Sequence, residues 1–143
     1  MFVRQISVFL ENKGGRLAKI TRLLAENNVD IRALSLADTA DFGLLRLIVG
    51  DNEKAVTVLR GANMAVSLTE VLAVEMPDRP GALAEVLALL EEQGQVVEYA
   101  YAFVSRESGK AYVILRCMDD TAAETILRNA GIAMLDGDNP SFS

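Results

Sequence analysis

Two glycine turns contain the residues of this chain that could do chemistry. Asn12-Lys13-Gly14-Gly15-Arg16 and Asp78-Arg79-Pro80-Gly81 each follow an apolar strand pattern and precede an apolar helical pattern. Glycine lets the backbone approach a ligand, and the free amides of a starting helix favour an anion such as a carboxylate. Pro80 lacks one of these donors, so the turn in the first half is the better anion cradle. The alternative is that both turns are ordinary helix starts, capped by Asn12 or Asp78.

The composition excludes several catalytic classes. The 143 residues include no His and a single Cys, Cys117, so Ser-His-Asp and Cys-His machinery lacks its imidazole. One cysteine forms neither an intrachain disulfide nor a Cys/His zinc site, which fits a reducing compartment. We interpret Cys117 as a small buried residue rather than a redox switch. The sequence therefore predicts no catalytic residue, no metal site and no cofactor.

Two pairs of carboxylates remain as candidates for an enzyme. Asp38 with Asp41, and Asp119 with Asp120, could perform acid–base chemistry or hold Mg²⁺. They fall at predicted turns and helix starts, where Asp is an ordinary residue. An enzyme is therefore the least favoured class of function.

Charge and hydropathy limit the partners. Lys and Arg total 14 against 20 Asp and Glu, a net charge of −6, which argues against nucleic acid because phosphate neutralisation dominates that affinity. No apolar stretch reaches the roughly 18 residues of a spanning helix, so we expect a cytoplasmic protein without membrane partners. Residues 1–66 carry nine basic and seven acidic side chains, whereas residues 67–143 carry five and thirteen. The second half could offer a partner enzyme an acidic face, or the asymmetry could orient the two halves.

An internal repeat organises the chain. A shift of 66 positions places Gly15 on Gly81 and matches six of the twelve residues from 15 to 26 with those from 81 to 92. The match continues through Gly43 and Gly109 and then slips by two positions. Two copies of one structural unit therefore fill the chain.

Each copy has the pattern of a strand, a helix, two strands, a helix and a strand. This order predicts an α+β fold of two ferredoxin-like βαββαβ units, each an antiparallel sheet with helices on one face, paired side by side. We expect domains at 1–68 and 69–136, followed by a flexible tail at 137–143. In the first copy the expected elements are 6–10, 17–24, 29–37, 44–49, a helix begun by Asp51, and 64–68; in the second they are 72–76, 83–90, 96–104, 111–115, 122–127 and 132–135.

The second glycine turn also carries a family resemblance. Asp78-Arg79-Pro80-Gly81-Ala82-Leu83, followed by the apolar helix pattern of residues 84–90, resembles the signature of ACT domains. These are small amino-acid-sensing modules attached to many biosynthetic enzymes. With the matching residues 12–17 of the first copy, the stretch from about residue 2 to 135 resembles small free-standing proteins made of two ACT domains. The resemblance implies an allosteric sensor that binds an amino acid where domains pair, and not a catalyst.

The resemblance implies a ligand site as well. In ACT domains that bind amino acids, polar side chains of the first loop and of the start of the second strand often hold the ammonium group. Asn12 and Asp30 occupy these positions in the first copy, whereas the second copy has Asp78 and Val96, so the sites are unequal or one site is completed by the other copy. Asp30 could also be a solvated turn residue. The expected ligand-binding residues are Asn12, Lys13, Gly14, Gly15, Arg16, Leu17, Asp30, Ile31, Asp78, Arg79, Pro80 and Gly81.

We therefore expect a regulatory protein that senses an amino acid and acts through a partner, such as a biosynthetic enzyme, or through a change of oligomer. The alternative is a regulatory or assembly subunit of a biosynthetic enzyme that binds no ligand. A homodimer is expected because the strand positions out of phase with the core are half apolar. The apolar ones are Phe9, Leu44, Ile48, Val71, Ala73, Tyr112 and Ile114, interspersed with Ser7, Arg46, Lys110 and Arg116. Tyr99 and Tyr101 share one face of a strand, where they could line the pocket or simply pack.

Overall fold

The computed structural model describes residues 2–11, 14–38, 42–103 and 109–136. Asn12, Lys13, Asp41 and the expected tail at 137–143 lie outside the described residues. The chain divides into two compact units, which we call the first unit, residues 4–69, and the second unit, residues 70–143 with 1–3. None of the helices within the described ranges is long and apolar enough to cross a membrane.

The first unit forms around β3, which pairs with a strand on each side. Its elements are β1 (Val3–Glu11), α1 (Arg16–Glu26), β2 (Ile31–Asp38), β3 (Phe42–Val49), α2 (Asn52–Gly61) and the start of β4 (Ala65–Pro77). β3 runs antiparallel to both β1 and β2. Alternate residues of β1 and β3 are buried against α1 and α2, so both helices cover the same face of the sheet. This core comprises Ile6, Val8, Leu10, Ile20, Leu24, Val29, Leu45, Leu47, Val49, Ala55, Val56 and Leu59.

The second unit repeats this arrangement. After β4 come α3 (Ala82–Glu92), β5 (Val97–Ala102), β6 (Lys110–Cys117) and α4 (Asp120–Asn129). β6 lies between β4 and β5 and is antiparallel to both. Its helices also cover one face, with a core that comprises Leu72, Val74, Met76, Ala82, Val86, Leu90, Val113, Leu115, Cys117, Ala123, Leu127 and Met134. The predicted α+β fold of two ferredoxin-like units is therefore confirmed.

The final strand of the second unit is shorter than predicted. Residues 132–135 were expected to form a strand, but the structure has one isolated bridge there, between Val74 and Met134. Two backbone hydrogen bonds flank it, from the Glu75 amide to the Ala133 oxygen at 2.9 Å and from the Leu135 amide to the Ala73 oxygen at 2.8 Å. The segment still occupies the edge position that a ferredoxin-like unit requires.

The prediction of an open apolar sheet face is wrong for most of its residues. Ile48, Val71, Ala73, Tyr112 and Ile114 are all 8% exposed or less in the single chain. Alternation along a strand reveals which side a residue faces, but not whether that side is covered. Phe9 does remain open, at 58% exposure.

Candidate functional site

Helices α1 and α3 begin differently from α2 and α4. Gly15 and Gly81 precede α1 and α3 with left-handed φ angles of 85° and 90° and offer no side-chain cap. By contrast, the Asp51 carboxylate accepts a hydrogen bond from the Lys54 amide at 3.1 Å at the start of α2. Asp119 caps α4 in the same way. Backbone amides at the starts of α1 and α3 are therefore available to an external acceptor, the arrangement that favours anions.

Within α3, the available amides can be specified. The Ala82 amide already donates to the Arg79 oxygen at 3.3 Å, and the Glu85 amide donates to the Gly81 oxygen at 3.0 Å. Among the described residues, the amides of Leu83 and Ala84 have no side-chain cap. These two amides are open to an acceptor from outside the helix.

A groove lies beside each uncapped helix start, and equivalent residues of the two copies build it. In the first unit it has a volume of about 270 Å³ and is lined by the end of β1, the start of α1 and the loop after α2. In the second unit it has a volume of about 860 Å³ and is lined by the end of β4, by α3 and by the loop after α4. The equivalent lining positions are Leu10 and Met76, Glu11 and Pro77, Arg16 and Ala82, and the loops 62–65 and 130–133.

The two grooves differ in chemistry. In the first unit, Arg16 pairs with Glu11 at 3.5 Å. The groove of the second unit has an apolar floor that includes Met76, Val86 and Leu89. Charged groups beside an apolar surface of this kind can hold a small zwitterion.

Charged side chains also line the groove of the second unit. Glu85 accepts hydrogen bonds from Arg79 Nη2 at 2.9 and 3.1 Å. Glu75 pairs with Lys110 at 3.4 Å and accepts a hydrogen bond from the Tyr112 hydroxyl at 3.0 Å. These pairs hold the charged groups of the groove in place.

The structure separates Asp30 from the glycine turn of its own unit. Glu11, just before the turn, pairs with Phe42 at one end of β3, whereas Ile31 pairs with Val49 at the other end. Seven residue steps of about 3.4 Å put the two ends about 24 Å apart. Asp30 instead pairs with Arg32 at 3.2 Å. One small ligand therefore cannot contact both Gly15 and Asp30 of the same unit.

The other expected ligand-binding residues fall into three groups. Gly14, Asp78, Arg79 and Pro80 are exposed at the turns beside the grooves. Leu17 and Ile31 pack against the core of the first unit, which is a structural role. Asn12 and Lys13 lie outside the described residues.

The repeated unit is also the unit of a known protein family. A model of the family described as an ACT domain pair matches residues 1–139. The chain belongs to this family. The resemblance inferred from the glycine turns is thereby confirmed, and the ACT domain pair is a regulatory module.

Solved structures agree with this assignment. A protein from Bacteroides thetaiotaomicron is 39% identical to this ACT domain pair, with a TM-score of 0.88 over 96% of this chain and 94% of that one. The regulatory subunit of aspartate kinase from Thermus thermophilus, in its ligand-free form, is 16% identical, with a TM-score of 0.62 over 89% of this chain and 91% of that one. The latter likeness shows the fold alone. No curated protein matches the chain.

The carboxylate pairs of this ACT domain pair have structural roles where the structure describes them. Asp119 caps α4, and an Asp120 carboxylate oxygen accepts a hydrogen bond from the Cys117 amide at 2.7 Å. Desolvation raises the pKa of Asp120, and the same burial raises the pKa of the Cys117 thiol to about 11. The described residues contain no group of three or more side chains that could hold a metal ion. Nothing is described for the side chains of Asp38 and Asp41.

Sequence reasoning missed the loops that close the grooves. Residues 62–65 and 130–133 follow the second helix of each copy and line the two grooves. The signal was present in the repeat, because these loops match one another at the shifted register of 68 positions. Tyr99 and Tyr101 stack on each other with ring centroids 6.4 Å apart and line neither groove.

Proposed function

We propose that this ACT domain pair is a sensor that binds a free amino acid and regulates amino-acid metabolism without catalysing a reaction itself. The observation that carries the proposal is the recurrence of one groove, beside an uncapped helix start, in both units. Two copies that have diverged in sequence keep a concave site at the equivalent position.

The groove of the second unit suits an amino acid in the following way. The carboxylate of the ligand lies near the start of α3, where Ala82 lines the groove and the helix dipole favours negative charge. Its side chain lies along Val86 and Leu89 on α3. A ligand in this position contacts both α3 and the loop 130–133, so it links two segments that are far apart in the sequence.

Such a link is a means of regulation. Ligand binding favours the conformations in which α3 and the loop 130–133 approach each other, and a partner that distinguishes these conformations responds to the amino acid. The partner we propose is a biosynthetic enzyme. The expectation of a cytoplasmic location stays a prediction.

Asp30 cannot hold the ammonium group of a ligand that is bound at the glycine turn of its own unit. Because it lies about 24 Å from the turn of its own unit, a role in holding the ammonium group requires that it reach a groove of a neighbouring unit. This role and those of Asn12 and Lys13 stay predictions.

We also propose that the chain acts as a homodimer. Phe9 and Phe42 of the first unit are both 58% exposed. With Ala37, Gly43 and Leu44 they line an apolar pocket of about 430 Å³. Apolar surface of this kind commonly marks a contact with another molecule.

A thermal-shift screen against the twenty amino acids tests the sensor. A ligand at about 100 times its Kd adds ~2.7 kcal/mol of stability. Ala130→Phe fills the groove of the second unit and Ala62→Phe fills that of the first, so at least one of these variants should lose the shift. Ala25→Phe, on the exposed part of α1 outside the groove, is the matched control and should keep it. A panel that gives no shift would favour the ligand-free assembly subunit instead.

A further inference from the structure

We infer that β2 of one chain pairs with β2 of a second copy of the same chain, antiparallel and about a two-fold axis through Ser35. The inference goes beyond the proposed function and concerns how copies of the chain assemble. In the described ranges, β2 has β3 on one side and no strand on the other. The edge of a sheet carries backbone N–H and C=O groups that can pair with another strand. This edge is therefore a surface for a second strand.

Two exposed leucines follow the edge. Leu34 is 43% exposed and Leu36 is 47% exposed. Their cross-strand partners on β3, Leu47 and Leu45, are fully buried in the core beneath the helices. Natural edge strands commonly carry charged residues or proline that prevent further pairing, and residues 33–37 contain neither. The edge is thus apolar on the helix side of the sheet and has no residue that opposes a new neighbour.

The order of residues along this edge matches a second copy of itself. The central five residues of β2 read the same in both directions: Ala33, Leu34, Ser35, Leu36 and Ala37. They pair with β3 without a shift of register, so this part of the strand is regular. An antiparallel pairing centred on Ser35 places Leu34 opposite the partner's Leu36. Each of the five residues then meets a residue of its own type, which a strand of unrelated sequence does not offer.

The backbone is compatible with the same register. Paired residues differ by zero, two or four positions, so both members of a pair have the same place in the alternation of the strand. Groups that point away from β3 in one chain therefore meet groups that point away from β3 in the other. On the helix side, Leu34 and Leu36 of both chains come together, with directly opposed Cβ atoms about 5 Å apart. This contact removes apolar surface from water beside the new backbone ladder.

The second unit provides an internal comparison. Its edge strand is β5, where Ala100 and Ala102 pair with core residues of β6 as Leu34 and Leu36 pair with those of β3. A ferredoxin-like unit therefore accepts alanine at both positions. The leucines of β2 are not needed to complete the fold, and a contact between copies gives them a role.

The β2 pairing is separate from the homodimer contact proposed at Phe9 and Phe42. Phe9 lies on β1, with β3 between it and β2. It alternates with the core residues Val8 and Leu10, so it faces the side of the sheet opposite to the helices. A two-fold axis perpendicular to the sheet leaves that side open in both copies. Both contacts can therefore form at once, and the pairing of one short edge, at the low end of interface areas, requires the higher protein concentration.

Sedimentation equilibrium of Phe9→Asp, in which the other contact is weakened, tests the inference. We expect this variant to form dimers at roughly 100 µM, as a small interface would. Adding Leu36→Lys places a charge in the pairing and should weaken association about tenfold or more. Adding Ala102→Lys, at the equivalent exposed position of β5, should not.

The contrary results of this experiment are distinct. Equal losses from Leu36→Lys and Ala102→Lys would overturn the inference. So would a Phe9→Asp chain that stays monomeric up to about 1 mM, which would leave the edge to a strand of a different protein. A Phe9→Asp chain that stays dimeric at micromolar concentration would contradict the contact at Phe9, and the comparison of the two lysine variants would still decide the β2 pairing.

Cross-linking tests the register itself. In a chain that carries Phe9→Asp and Cys117→Ala, the further change Ser35→Cys places two thiols at the axis, whereas Ala37→Cys separates them by four residue steps, about 14 Å. A short bismaleimide should give a covalent dimer of the Ser35→Cys chain and little of the Ala37→Cys chain, although Ala37 is the more exposed position. Equal yields, or no covalent dimer of the Ser35→Cys chain, would overturn the axis at Ser35.

Discussion

Asn63 and Gly131 adopt the same left-handed backbone conformation, with φ angles of 63° and 77°. They occupy equivalent positions in the loops that close the two grooves. An L residue with a Cβ is strained in this region, and Asn tolerates it better than most because its side chain bonds locally. The two loops therefore have the same backbone turn in both copies, even though their residues differ.

Alanine at these two positions should therefore be destabilising. Gly131→Ala and Asn63→Ala are each expected to lower the free energy of unfolding by about 1 kcal/mol, measured by urea denaturation. At Gly131 the loss comes from the backbone conformation and not from a clash, because a Cβ there would meet no atom within 4 Å.

Gly61→Ala is the matched control for this pair. Gly61 ends α2, has no left-handed φ angle and would also receive a Cβ without a contact. Alanine there should stabilise the chain by about 0.5 kcal/mol, because it restricts the unfolded state. A loss of stability at Gly61 similar to that at Gly131 would show that the conformational argument is wrong.

The capped helices should depend on their aspartates. Asp51→Ala and Asp119→Ala each remove the acceptor for one first-turn amide, those of Lys54 and Ala122. We expect each substitution to lower the free energy of unfolding by about 1 kcal/mol. Asp51→Asn keeps an acceptor oxygen and should retain most of the stability, and a loss equal to that of alanine would argue against the cap.

Cys117 should be protected from thiol reagents and should make stability depend on alkaline pH. Burial, followed by the charges of Asp120 and Glu98, raises its pKa from 9.0 to about 11 in the folded chain. The folded state then holds the thiol proton over a pH range in which the unfolded state releases it. Its contribution is complete below pH 9 and is lost as the pH rises through about 11.

The measurement is the difference in unfolding free energy between the unmodified chain and Cys117→Ala as a function of pH. This difference should fall by roughly 1 to 3 kcal/mol between pH 8 and pH 11, at about 1.4 kcal/mol for each unit of pKa shift. A difference that does not vary with pH would contradict the burial of the thiol. If the thiol is buried as described, an aromatic disulfide should also modify Cys117 only slowly at pH 8.

The proposed homodimer is tested by sedimentation equilibrium at micromolar concentration. The chain has a mass of 15.5 kDa, and we expect a species of about twice that mass. Phe9→Asp should shift the population toward the monomer, because it places a charge in an apolar contact. Leu83→Asp, at a position that is exposed on α3, should not. A wild-type species of 15.5 kDa would contradict the dimer.

The repeat and its elements were predictable because local patterns determine them. Residues 17–24 and 83–90 were expected to be helical, and the helices extend from Arg16 to Glu26 and from Ala82 to Glu92. Apolar periodicity defined their faces, and Gly15 and Gly81 marked their starts. The strands expected at 64–68 and 72–76 are parts of the single strand β4 (Ala65–Pro77).

The parts that were not predicted depend on tertiary structure. Ile48 and Ile114 were assigned to an open face, and both are buried, because no local pattern reveals what covers a sheet. Asp30 was placed near Gly15, although the eleven-residue helix α1 carries the chain back along the sheet between them. Eleven helical residues at about 1.5 Å each span about 16 Å, so the length of the predicted helix already indicated that Asp30 and Gly15 lie far apart.

An NMR titration of uniformly ¹⁵N-labelled protein tests the central claim, that the grooves beside the uncapped helix starts bind an amino acid. The titrant is the amino acid that gives the largest thermal shift in the panel of twenty. The account predicts saturable changes in the amide signals of Leu83, Ala84 and residues 130–133, or of their equivalents in the first unit, and loss of these changes in Ala130→Phe or Ala62→Phe. Saturable changes elsewhere, with both groove regions unaffected, would contradict the account.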